Sequence, residues 1–141
     1  MDPALPKISK SGSASKTEAS DFKKVTKLHC SVACMGRWCK HENWKLCANP
    51  AIRGLHSEWV EGLLIGSQRL SDRLIKEYGI IDQFHEKGVV AVFNLEEPGE
   101  HPYCGDGIIP KIGFSYTPEK LSDKGIAYYN FYWKDLTVPS H

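Results

Sequence analysis

The 141-residue chain has no apolar run long enough to span a bilayer. Its start, Met1-Asp2-Pro3-Ala4-Leu5-Pro6, lacks the apolar segment of a secretory signal, and Asp2 stands where N-myristoylation needs glycine. The five cysteines are an odd number with no Cys-x2-Cys pair among them, which fits a reducing compartment better than a disulfide scaffold. There is no internal repeat. These absences leave a chain with no transmembrane segment and an expected cytoplasmic address, the nucleus also being open. Its 41% hydrophobic and 25% charged residues suit one globular domain with one core.

Net charge is only +1, but it is unevenly spread. Residues 1–57 hold 10 Lys+Arg against 4 Asp+Glu, and residues 58–141 hold 8 against 13. The basic half suits an acidic protein partner or a membrane surface, but a solvated tail is the favoured reading; no nucleic-acid partner is expected. Residues 1–26 form a Ser/Lys-rich tail, whose first twenty residues are too polar to offset the entropy of ordering, so a disordered segment is expected. Asp21–Leu28 fits a short helix or a short strand.

Residues 27–57 are a basic preamble that concentrates Cys30, Cys34, Cys39 and Cys47, with His29 and His41 nearby. The spacing, C-x3-C-x4-C-x7-C, fits no standard zinc finger, so no metal site and no cofactor are expected. On a helix, Cys30 and Cys34 share one face, which suits two small buried residues. His29-Cys30 followed by Arg37 approaches a phosphate-cradling His-Cys-x5-Arg loop but is one residue too long. The extra residue breaks the ring of backbone N–H groups that must close on an oxyanion, so Cys30 is not expected to be a nucleophile.

Glu58–Ser67 reads as two strand-like pieces broken by Gly62. Ser71 reads as the N-cap of a helix that Gly79 stops, and Ile80–Lys87 as a second helix ended by Gly88. Val89–Leu95 is nearly continuous apolar sequence, the pattern of a parallel strand buried on both faces. An irregular loop, Glu96–Gly107, follows. Glu100-His101 within it offers an acid–base pair, although loop polar residues need no such role, and nothing marks Cys104 as activated. Thr117-Pro118 opens a short helix, and Ile126–Trp133 is the last strand. This alternation predicts an α/β fold with a mainly parallel sheet flanked by helices. Asp135, just past a strand end, lies where open α/β sheets bind ligands and is the strongest catalytic candidate.

Four stretches, taken together, resemble the protein tyrosine phosphatase domain-containing protein 1 family of cysteine-based, dual-specificity-like phosphatases. They are Lys27-Leu28-His29-Cys30-x3-Cys34-x-Gly36-Arg37-x-Cys39, Ile80-Ile81-Asp82-Gln83-Phe84, Asn94-Leu95-x-x-Pro98-Gly99-Glu100-His101-x-x-Cys104-Gly105, and Tyr129-Asn130-Phe131-x-Trp133-Lys134-Asp135. The resemblance implies that residues 58–141 are the N-terminal part of a phosphatase-type domain, incomplete at its C-terminus. It makes Asp135 the mobile acid-loop residue that protonates the leaving oxygen, Trp133 the anchor of that loop, and Glu100 and His101 supporting residues. It implies a phosphoprotein substrate for the complete family protein. The family's His-Cys-x5-Arg nucleophile loop is absent from these 141 residues, so hydrolysis by this chain alone is not expected. Glu97 departs from the basic residue expected before Pro-Gly-Glu-His and would repel an anionic substrate. The rival expectation is a non-catalytic phosphatase-like module that binds a partner through its basic cysteine-rich segment.

Overall fold

The structure, a computed structural model, describes residue 32, residues 34–135 and residues 137–139. The expectations for His29, Cys30 and the N-terminal tail lie outside these residues. Three single 3-10 turns, Gly36–Trp38, Lys40–Glu42 and Trp44–Leu46, lead in from the cysteine-rich segment. Strands β1 (Ser57–Val60) and β2 (Leu64–Ser67) pair antiparallel, with Ser57 opposite Ser67 and Val60 opposite Leu64. Glu61 and Gly62 both take positive φ, 52° and 69°, so the break expected at Gly62 is a tight hairpin turn.

Helix α1 (Asp72–Tyr78) begins where its capping residue predicts: Ser71 Oγ accepts from the Leu74 N–H at 3.1 Å. Gly79, at φ 60°, ends it by donating to the Ile75 carbonyl, and α2 (Ile80–Glu86) starts at once on a new axis. Strand β3 (Ala91–Asn94) and strand β4 (Ala127–Asn130) pair in parallel across the intervening α3 (Glu119–Ser122). The fold is therefore mixed α/β, with one parallel and one antiparallel pair among the described residues. The expected Thr117 cap takes a different form. Thr117 donates its N–H and its hydroxyl to Asp72, at 3.0 and 3.1 Å, so a carboxylate from α1 does the work of a local cap.

One core ties these elements together. Ile52, Leu55, Ile80, Tyr116, Leu121 and Ile126 are almost wholly buried, and Leu74 and Phe84 join them from the two helices. Each such aliphatic side chain contributes about 1.5–3 kcal/mol by leaving water. Ile52 and Leu55 lie before β1, so the loop after the cysteine-rich segment is built into the core. Gly54 makes that possible: at φ 98° it passes directly over the Tyr78 ring, where any Cβ would collide.

Burial of β3 and β4 on both faces was expected; the structure buries one. Val92 and Tyr128 pack on the core, while Phe93, Tyr129 and Phe131 stack on the opposite face and remain 56%, 46% and 59% exposed. The register places Phe93 opposite Tyr129, so alternation along two paired strands concentrates aromatic surface on one side.

Candidate functional site

The end of β3 sets the position of the loop that follows. Asn94 is buried; its side-chain amide N–H donates to the Tyr128 hydroxyl at 3.1 Å and its side-chain Oδ1 accepts from the Glu96 N–H at 3.3 Å. That bond turns the chain sharply into Glu96–Gly107. Beyond β4 the pairing loosens but continues: Phe131 N–H donates to the Asn94 carbonyl at 2.9 Å, and Trp133 N–H to the Leu95 carbonyl at 3.4 Å. Half-buried Trp133 thus brings Asp135 over the same loop.

There the sequence-predicted residues meet. His101 Nε2 lies 3.1 Å from Asp135 Oδ2, and Asp135 N–H donates to Glu100 Oε1 at 3.0 Å. Glu100 Oε2 in turn accepts from the Glu97 N–H at 3.2 Å. Glu100 is therefore a brace between its own loop and the Asp135 segment, not a dangling surface acid. Asp135 stays about half exposed, with 52% of its side chain accessible, so its carboxylate remains reachable from solvent. His101 adopts φ 45°, a left-handed conformation that costs a non-glycine residue on the order of 1 kcal/mol. The conformation aims the ring between Asp135 and Cys104, whose Sγ lies 3.6 Å from His101 Nδ1.

Arg69 holds the loop in that shape, and sequence reasoning missed it. Its side chain is only 7% exposed. Nη2 donates to the carbonyls of Cys104 at 2.6 Å and His101 at 3.0 Å, and Nη1 to that of Glu100 at 3.3 Å. Nε pairs with Glu42 from the cysteine-rich segment, and Nη1 lies 3.4 Å from Glu96. Burial opposes the guanidinium charge, but Glu42 and Glu96 outweigh it and hold the Arg69 pKa above its ordinary value. Burial pushes the Glu96 carboxyl up, only partly countered by Arg69. No local pattern marks an arginine whose partners lie 27 residues before it and up to 35 after it.

The cysteine-rich segment docks on this loop as well. Gly105 N–H donates to the Gly36 carbonyl at 3.2 Å, and Gly105 carries no Cβ to block the Glu42 carboxylate. Cys39 and Cys104 are buried together with Cys34 packed against them, whereas Cys47 sits apart with its Sγ 3.6 Å from the Ser57 carbonyl. The grouping Cys30, Cys34, Cys39 and Cys47 considered from sequence is thus not the one the fold assembles among the described residues. Instead, the ligating atoms of Cys34, His101 and Cys104 all lie within 4.8 Å of one another. His101-x2-Cys104 has the spacing of two ligands on one turn, but it lies 67 residues from Cys34, so nothing local in the sequence joins the three. No described helix is long and apolar enough to cross a membrane.

A mixed α/β unit that brings an acidic residue past a strand end onto a Pro-Gly-Glu-His loop fits the class of protein the motifs resemble. Relatives named protein tyrosine phosphatase domain-containing protein 1 match it: 43% identical over 115 residues in Danio rerio, 43% over 116 in Mus musculus and 40% over 114 in Bos taurus. These matches take in 79–80% of this chain but only 14–16% of the relatives. The chain is a relative of the protein tyrosine phosphatase domain-containing protein 1 proteins and spans about one sixth of their length. No family profile matches the chain, and no solved structure does.

Proposed function

We propose that this chain is the acid-loop part of a phosphatase-type domain, supplying Asp135 as general acid and base to a nucleophile carried elsewhere in a longer protein. The observation that supports this reading is the contact of Glu100 and His101 with Asp135. Two motif stretches 34 and 35 residues apart meet around one half-exposed carboxylate. Chemically, Asp135 protonates the departing alcohol or phenol oxygen as phosphorus passes to a cysteine thiolate. It then takes a proton from the water that hydrolyses the phosphocysteine. Trp133 and Glu100 set the resting position of the loop, and the cytoplasm supplies the phosphoprotein substrate. The 141 residues hold Asp135 without a His-Cys-x5-Arg loop, so the chain by itself has no phosphoryl group to serve. The test is a longer phosphatase carrying both this segment and that loop. Asp135→Asn is expected to lower kcat about 10²–10⁴-fold, remove the fall in activity at rising pH that reflects deprotonation of the acid, and leave KM nearly unchanged. An unaltered kcat and pH profile contradicts the assignment.

The exposed stack of Phe93, Tyr129 and Phe131 favours a second reading, a non-catalytic module whose aromatic face receives a protein partner. A stable, tight complex formed by the 141-residue chain without any phosphatase activity separates it from the first.

A further inference from the structure

We infer that Cys34, His101 and Cys104 bind a zinc ion, and that this ion locks the cysteine-rich segment onto the loop that holds Asp135. The inference does not depend on phosphatase chemistry; it rests on donor identity and distance. Two thiols and an imidazole come together within 4.8 Å from segments 67 residues apart in sequence, counted from Cys34 to His101. Tetrahedral zinc with Zn–S of about 2.3 Å and Zn–N of about 2.0 Å separates adjacent S and N ligand atoms by about 3.6 Å. The Cys104 Sγ and His101 Nδ1 lie 3.6 Å apart. Soft thiolate donors with one imidazole select zinc over harder divalent cations.

The backbone is shaped for the same purpose. Cys104 N–H donates to the His101 carbonyl at 3.1 Å, closing a turn that puts two donors three residues apart on one side. Met35, next to Cys34, and His101 both take left-handed φ, 62° and 45°, although neither is glycine. Such strain persists where surrounding interactions over-determine it. Cys39 is buried beside Cys104 and Cys47 points to Ser57, and neither thiol belongs to the group of three donors. Two thiolates and one neutral imidazole around Zn²⁺ carry no net charge. Arg69, donating to the carbonyls of both His101 and Cys104, fixes the backbone that carries two of the donors.

His101 also has the outer partner that ligating histidines use. With Nδ1 turned to the metal, Nε2–H donates to Asp135 Oδ2 at 3.1 Å, fixing the tautomer and ring orientation. Asp135 is thus a positioning residue for the metal, and the metal in turn fixes where Asp135 rests.

The test uses the untagged 141-residue chain expressed in zinc-supplemented medium. One equivalent of zinc that survives desalting is expected, and replacement by Co²⁺ should give thiolate-to-cobalt charge transfer with the visible bands of a tetrahedral site. Cys34→Ser, Cys104→Ser and His101→Ala should each lose stoichiometric metal, while Cys47→Ser keeps it. Asp135→Asn should keep the cobalt spectrum but weaken zinc affinity about 10–100-fold. Because ligand variants can fail to fold, the decisive result comes from the wild-type chain. Zinc-free protein whose cobalt titration gives no thiolate charge transfer overturns the site. Unchanged affinity in Asp135→Asn overturns the coupling to Asp135.

Discussion

Arg69 shows how much of the molecule depends on one side chain. It satisfies three carbonyls of the Glu96–Gly107 loop and pairs with both Glu42 and Glu96 in a largely buried setting. Removing it leaves two carboxylates short of their counter-ion and three carbonyls short of a donor. Truncating one partner of a buried ion pair costs about 3–5 kcal/mol. Arg69→Ala is therefore expected to lower the denaturant midpoint sharply, or to abolish the folded state. Arg69→Lys should not restore it, since an ammonium cannot span the same fork of acceptors. A midpoint within experimental error of wild type would show that the loop holds its shape without the hub. Single residues of this kind escape sequence reading because their partners are tertiary. Ser71, Gly79 and Gly62 were legible because each acts within a few residues of itself.

At the scale of elements, Asp72 links two helices. It lies in the first turn of α1 yet accepts two hydrogen bonds from Thr117 and pairs with Lys120 of α3 at 2.8 Å. Burial tends to raise its pKa, but the Lys120 and Thr117 contacts prevail and hold it below the ordinary 3.8. Asp106 is likewise lowered: burial raises it, and the hydrogen bonds from Arg73 and Ser71 outweigh that. A carboxyl whose folded pKa is depressed contributes stability that is present above its unfolded pKa and lost as the pH falls through the folded value. Unfolding free energy should therefore decline as the pH drops below about 4, the unfolded Asp value. In Asp72→Asn that decline should be shallower, as followed by urea titrations at a series of acidic pH values. An equal slope in the two proteins would remove Asp72 from the linkage. The helices themselves could be read from sequence, but their mutual capping could not. Thr117-Pro118 looks like a self-sufficient start, and only the fold reveals a carboxylate 45 residues away.

For the whole molecule, composition and motif order gave the α/β class and the approach of Asp135 to a strand end. They did not reveal which sheet face would be covered. Apolar runs at Val89–Leu95 and Ile126–Trp133 look alike on both faces, and only packing against α1, α2 and α3 selects Val92 and Tyr128 for the interior. The outward stack of Phe93, Tyr129 and Phe131 leaves aromatic rings open to water, which favours association. The isolated chain is expected to bind a hydrophobic dye and to self-associate as its concentration rises. Phe93→Lys should reduce both, while changing stability by about 0.5 kcal/mol or less because that ring is more than half exposed. Dye binding and sedimentation that are the same for wild type and Phe93→Lys would place the sticky surface elsewhere.

Aryl phosphate turnover by the purified 141-residue chain tests most directly the proposal that Asp135 is a phosphatase acid held without the nucleophile it would serve. The expected result is a rate no higher than buffer alone, unchanged by Asp135→Asn and by Cys30→Ser. Turnover above buffer that Cys30→Ser abolishes would contradict the claim and make the His29-Cys30 to Arg37 segment the catalytic loop after all.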